Sequence, residues 1–255
     1  MDWLSFRYTV RPLKNRRPSV TTDAESMGSI LSTGLEADRL LLGRTSTAER
    51  LADILRGRIT EGFFEPGSRL SEEAIGGALG VSRNTLREAF RLLTHEKLLV
   101  HELNRGVFVR RLSVEDVIDL YKVRKLVQCA VLREITSPPG DKLQAVEAAV
   151  ADGEDAKKRQ AWRELGTANI HFHQALITLA GSPRVDELVR GLLAELRLVF
   201  HVMADPQPFH EPYLERNREI LETLRTGDGV TAERQLAAYL DDAEEQLVEA
   251  YRRVM

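Results

Sequence analysis

The 255-residue sequence has a single cysteine, Cys129, set in an apolar run of helical character. One thiol makes neither a disulfide framework nor a zinc knuckle, so cohesion must come from a hydrophobic core, and a reducing cytosol is the expected compartment. No apolar run approaches the roughly 18 residues of a membrane helix. The opening segment, despite Arg7, Arg11, Lys14, Arg16 and Arg17, lacks the apolar stretch and cleavage site of an export signal. The chain is therefore expected to remain cytoplasmic, with no membrane partner. A glycine-rich phosphate loop and a paired nucleophile and base are also missing, which speaks against an enzyme. Charge of one sign is scarce as well: the formal net charge is -3. That small total hides an asymmetry, with basic residues in excess before Leu112 and acidic ones after it. Only the first part has the balance that suits phosphate.

What is present is enough apolar material, 43% of the residues, for two cores. Residues 1–44 show no sustained period and read as a flexible arm, whose basic residues either touch nucleic acid or are a bland extension. Residues 45–112 form the first expected domain. Ser46 and Glu49 have capping-box spacing, and Leu51, Ile54, Leu55 and Ile59 follow at helical intervals. Pro66-Gly67 makes a turn. Ser71 caps a short helix that carries Ile75 and Leu79 inward and stops at Gly80. Ser82 caps a third helix with Leu86, Ala89, Phe90 and Leu93 as its buried stripe. The period then changes: Leu99 to Leu103 and Val107 to Val109 flank Asn104-Arg105-Gly106, as in a hairpin.

Residues 113–255 read as an all-helical bundle of about six helices. The first starts at Ser113-x-x-Asp116 and reaches about Ile135; the others are expected near Lys142–Ala151, Lys157–Ala180, Arg184–Met203, Tyr213–Thr226 and Thr231–Arg253. The fold class is thus mainly α, a winged helix-turn-helix followed by a bundle.

Within Glu72–Leu93 the spacing meets the needs of a helix-turn-helix. A small Gly76 lies where helices cross, Gly80 is at the turn, and Ile75, Leu79, Val81 and Leu86 lie beneath. The third helix then exposes Ser82, Arg83, Asn84, Thr85 and Arg87 at the end that enters a major groove, where Arg grips guanine and Asn pairs with adenine. An ordinary helical hairpin with a basic tip has the same spacing. The hairpin that follows argues against that reading, because Arg105 and Gly106 at its tip bring a cation and a slim backbone to the neighbouring minor groove.

The blocks Pro66–Glu72, Leu79–Ala89 and Arg105–Val109, in this order and at these distances, resemble the GntR superfamily of bacterial transcriptional regulators. The resemblance implies that Arg83, Arg87 and Gly106 lie at operator DNA. One departure is Glu73, where many relatives carry an arginine that touches the operator; a carboxylate cannot donate there.

The second domain resembles the FCD ligand-binding domain of the FadR-like branch, through Asp119–Arg124, through Asn169 to His173 with Leu176 and Gly181–Pro183, and through Asn217–Leu240. Many such domains hold a divalent metal with Asp or Asn four residues before His on one helix and two further His on the last two helices. Asn169 and His173 retain the first pair, whereas Asn217 and Tyr239 stand at the two later positions. A neutral amide and a phenol are poor ligands for zinc. No metal or other cofactor is therefore expected, with Asn169 and His173 as the weak candidates for one, and His171, His201 and His210 as the further histidines of the second domain. The remaining constellation of Arg124, Asn169, His173, Asn217 and Tyr239 has two readings: mutual satisfaction inside the core, or a pocket in which Arg124 forks onto a carboxylate effector.

The expectation is a homodimeric regulator, a repressor or an activator, that meets double-stranded operator DNA at two half-sites and answers to a small metabolite, expected to be a carboxylate. Two alternatives stay open: a dimeric regulator whose bundle no longer senses, and a metal-dependent enzyme.

Overall fold

In the computed structural model, residues 46–200 and 206–254 are described. The expected N-terminal arm and His201 lie outside them. Helix α1 (Thr47–Thr60) packs on α3 (Arg83–His95), with the short α2 (Glu72–Leu79) alongside. Strands β1 (Arg69–Leu70), β2 (Leu99–Glu102) and β3 (Gly106–Val109) form an antiparallel sheet in the order β1-β3-β2. Its register pairs Val100 with Phe108 on one side and Arg69 with Phe108 on the other. Leu51, Leu55, Ile59, Leu86, Phe90 and Leu93 form the core between α1 and α3.

Two expected core residues lie elsewhere. The buried stripe of α1 runs through Leu51, Ala52, Leu55 and Ile59, which turns Ile54 off its edge into solvent. Leu79 is 43% exposed, because α2 is only eight residues long and buries none of them fully; Ile75 and Val81 are half-buried. The expected need for a small residue at Gly76 is also corrected. A Cβ there would sit 3.5 Å from the Val81 carbonyl oxygen, an ordinary contact. Gly80 differs, since it ends α2 with φ 64°, in the left-handed region.

The bundle begins with α4 (Val114–Arg133), where Ser113 and Asp116 form the expected capping box. After a 3-10 turn (Gly140–Leu143) come α5 (Gln144–Lys158), α6 (Trp162–Thr178), α7 (Pro183–Phe200), α8 (Gln207–Arg225) and α9 (Gly229–Val254). Helix α9 packs along α4, and α5 along α6. The expected break after Ala151 is displaced. Gly153 lies inside α5, where an added Cβ would come within 2.8 Å of Leu214 on α8, and the chain turns at Gln160 (φ 58°) instead. Helix α8 also starts earlier than expected and contains Pro212. Proline removes the N–H that the Pro208 carbonyl would receive, and Gln246 on α9 supplies a replacement from Nε2 at 3.0 Å. Among the described residues no helix is long and apolar enough to cross a membrane.

Arg110, one residue beyond β3, joins the two parts. Its guanidinium donates to Glu195 on α7 and to Asp116 on α4, each at 2.7 Å. Glu195 is 6% exposed, and burial pushes its carboxyl above the usual range, against the pull of Lys97 and Arg110. Nearby, the Tyr251 hydroxyl donates to the Leu112 carbonyl at 2.7 Å.

Two expectations follow for stability. Gly80→Ala should lower the unfolding free energy by about 1 kcal/mol through left-handed strain, while Gly76→Ala should be neutral or stabilising by a similar amount; urea titration of both variants compares them. Arg110→Met should cost about 3 kcal/mol, the low end for a broken buried pair because the arginine keeps some solvent. Adding Glu195→Met should restore most of that loss, and a strictly additive double mutant would show that Arg110 and Glu195 are not coupled.

Candidate functional site

At the exposed end of α3, Ser82 caps the helix by accepting from the Thr85 backbone N–H at 3.1 Å, and the two hydroxyls lie 2.8 Å apart. This engages Ser82 and Thr85 in holding the helix start. Arg83 and Asn84 project beside them into solvent. Arg87 is exposed yet held: its Nε donates to both carboxylate oxygens of Glu72, at 3.1 and 3.0 Å. Glu72 belongs to the sequence block already noted, but its pairing with Arg87, fifteen residues away, has no local signature. Between α3 and the sheet runs an open groove of about 630 Å³ lined by Glu72, Asn84, Arg87, Arg91, His101 and Val107.

The hairpin tip turns at Asn104 (φ 61°), and Gly106 has φ 109°, a conformation that suits glycine. Arg105 pairs with Glu102 and lies over the Phe108 ring, 5.4 Å from its centroid. The side chains proposed from sequence thus share one end of the molecule's winged-helix part: a helix N-terminus with two free polar side chains, a buttressed arginine, and a cationic tip. Glu73 is exposed on α2.

The second group is interior. Asn169 on α6 accepts from Asn217 Nδ2 on α8 and from the Tyr239 hydroxyl on α9, both at 2.8 Å. One turn along α6, His173 has its Nδ1 2.9 Å from Gln128 Oε1 and its ring 5.2 Å from that of Tyr239. Arg124 on α4 is 2% exposed and lies over the Tyr121 ring at 4.7 Å. Arg124, Asn169, His173 and Tyr239 line one cavity with Tyr121 and Tyr213, while Asn217 stands behind Asn169. All five residues singled out from sequence are therefore brought together. Gln128 and Tyr121 were missed, although both lie on the Arg124 face of α4, at spacings of four and three.

Mutual satisfaction is incomplete. Arg124 Nε, His173 Nε2, Gln128 Nε2 and Asn217 Oδ1 are buried without a hydrogen-bond partner. Burial and the neighbouring Arg124 guanidinium hold His173 well below the usual imidazole range, so it is neutral. With Nδ1–H donated to Gln128, Nε2 is left as an acceptor.

The donor set does not fit a divalent metal. Burial raises the Tyr239 phenol far above its ordinary range, which makes it a reluctant ligand. Asn169 already accepts two hydrogen bonds, and a guanidinium lines the same cavity. Among the described residues no three His, Cys, Asp or Glu side chains cluster as ligands. His171 is exposed, and His210 is buried against another wall.

Comparison with known proteins is in accord with this geometry. Residues 47–109 match the family of bacterial regulatory proteins described as the gntR family, and residues 119–242 match the FCD domain. A crystal structure described as a putative transcriptional regulator GntR from Rhodococcus sp. RHA1 is 48% identical. It covers 81% of this chain and 100% of its own, with a TM-score of 0.77. The chain belongs to the GntR family. The HTH-type transcriptional repressor RspR of Escherichia coli K12 is 26% identical over 200 residues, 78% of this chain and 88% of that protein. E. coli McbR/YncC, at 18% identity and a TM-score of 0.70 over 82% of this chain and 100% of that one, shares the fold. This GntR-family chain is a DNA-binding transcriptional regulator with an FCD domain, and its relatives are regulators rather than enzymes.

For the operator end, Arg83→Ala should weaken specific binding by about 1–3 kcal/mol with the fold intact, as expected for a bidentate base contact. Arg105→Ala should instead weaken binding to every sequence and reduce the salt slope by about one unit. Fluorescence anisotropy across a salt series separates them; a wild-type slope in Arg105→Ala would place that cation away from phosphate.

Proposed function

We propose that this regulator senses a small carboxylate without a metal, and that it does so through Arg124. The observation that carries the reading is a guanidinium buried to 2% exposure with no carboxylate in ion-pair distance among the described residues and with Nε unpartnered. An unpaired interior charge is costly, and a planar anion is the partner that a guanidinium fork matches best. His173 Nε2, an acceptor in the same wall, favours a carboxylate that also carries a hydroxyl.

The cavity itself holds about 10 Å³, roughly the space of one water probe. A ligand therefore enters only as side chains withdraw, and the signal starts there. Leu193, Leu196 and Phe200 on α7 line the cavity, and Glu195 on the same helix grips Arg110 at the exit of the wing. Expansion of the cavity would displace α7 and, through that ion pair, change the pose of the DNA-reading part. The protein acts as a cytoplasmic homodimer on paired half-sites, since a two-fold regulator matches a two-fold operator.

Calorimetry with small carboxylates, hydroxy acids and their amides tests this. Acids should bind and amides should not, and Arg124→Gln should abolish binding while leaving operator affinity in the absence of ligand unchanged. Loss of DNA binding in that variant would make Arg124 a brace of the bundle. Protein purified without chelator should carry well under one zinc, nickel or manganese per chain, and chelation should leave its melting temperature unchanged; stoichiometric metal would overturn the metal-free reading. Glu195→Gln should still bind the acid but release DNA less in response.

A further inference from the structure

A second cavity, of about 190 Å³, opens where α1 meets the bundle. Thr60 and Glu61 border it at the end of α1, Arg163, Glu164 and Thr167 on α6, Arg197 on α7, and His210 on α8. It shares Phe200 with the Arg124 cavity but none of the polar groups there. The lining holds two arginines and two glutamates. The Glu164 carboxylate is engaged by Arg159 at 2.8 Å, an arginine it shares with Asp155, and that of Glu61 by Arg58 at 3.3 Å. Arg163 and Arg197, by contrast, have no carboxylate within ion-pair distance among the described residues, and Arg197 is bonded to the Thr167 hydroxyl alone.

Arg197 is half-buried, and that burial pulls its guanidinium below the ordinary range with no anion to oppose it. His210 is 4% exposed, and its Nδ1 has no partner. Burial, with the Arg197 charge added, lowers its imidazole to about 4, so it is neutral near pH 7. The ring is fixed in place by Gly166, where an added Cβ would lie 2.5 Å from Nε2. This wall therefore offers two guanidinium groups without an ion-pair partner among the described residues, a hydroxyl and a neutral imidazole.

We propose that this cavity binds a compact tetrahedral oxyanion, inorganic phosphate or its like, against Arg197 and Thr167, with Arg163 lining the same space. Arg197 is a half-buried cation with no carboxylate in ion-pair distance among the described residues, and an oxyanion there supplies the partner that a guanidinium fork matches. The space is several times the roughly 30 Å³ share of one water, yet below the ~300 Å³ at which drug-sized pockets begin. That range fits a compact oxyanion and excludes a nucleotide. The site is independent of the Arg124 reading.

The test is calorimetric titration of the full chain at low ionic strength with inorganic phosphate; sodium chloride is the blank. Saturable binding tighter than about 10 mM is expected. Arg163→Gln and Arg197→Gln should each weaken binding about ten-fold or more, whereas Arg124→Gln should leave it unchanged. Arg163 is exposed and its side chain makes no hydrogen bond among the described residues, so this variant keeps the question decidable if Arg197→Gln disturbs the packing around Thr167. Absence of saturable phosphate binding would overturn the proposal. So would wild-type affinity in Arg163→Gln, or loss of binding in Arg124→Gln.

Discussion

A carboxylate inside a folded protein needs a partner, and in this chain Glu195 finds its own across the domain joint. Arg110 leaves the wing strand and donates from Nη1 to Glu195 on α7 and from Nη2 to Asp116 at the start of α4. One guanidinium thus ties the wing and the helix that follows it to a helix 85 positions away. The capping box at Ser113 and Asp116 starts α4 at the same point, so Asp116 serves the helix with one oxygen and the ion pair with the other. The wing, the first bundle helix and the helix that walls the inner cavity share a single electrostatic knot.

The interior of the bundle is organised around a different tension. Asn169, Asn217 and Tyr239 satisfy one another in part, which explains why a polar cluster survives inside an apolar core. Arg124 is not satisfied in this way. A structural role alone would be met by a smaller, uncharged residue, because burying an unpaired cation gains the fold nothing. The cavity beside Arg124 is almost filled, and several polar atoms around it have no partner among the described residues.

Local chemistry made much of the fold legible in advance. The caps at Ser71, Ser82 and Ser113, the left-handed stop at Gly80 and the hairpin around Asn104-Arg105-Gly106 depend on neighbours within four residues, and each was readable for that reason. Errors arose where a local signal met a distant neighbour. The helix expected to end at Ala151 continues through Gly153, where Leu214 makes its close approach; the helix expected from Tyr213 begins earlier and passes Pro212, because Gln246 supplies the lost hydrogen bond. Leu79 was placed inside because periodicity shows which residues share a face and not whether anything covers it.

By itself, the amino-acid order determined the mainly helical class, the helix-turn-helix with its wing, and which polar residues interrupt apolar faces in the second half. These follow from periodicity, capping and turn chemistry, all short-range. Only the tertiary structure decided that Glu72 holds Arg87, that Gln128 joins His173, that Arg110 bridges to Glu195, and that Arg163 and Arg197 line one cavity. Those relations join side chains 15 to 85 positions apart, and no local pattern encodes them, because the distance between two charges is set by how the helices pack and not by where they stand along the chain.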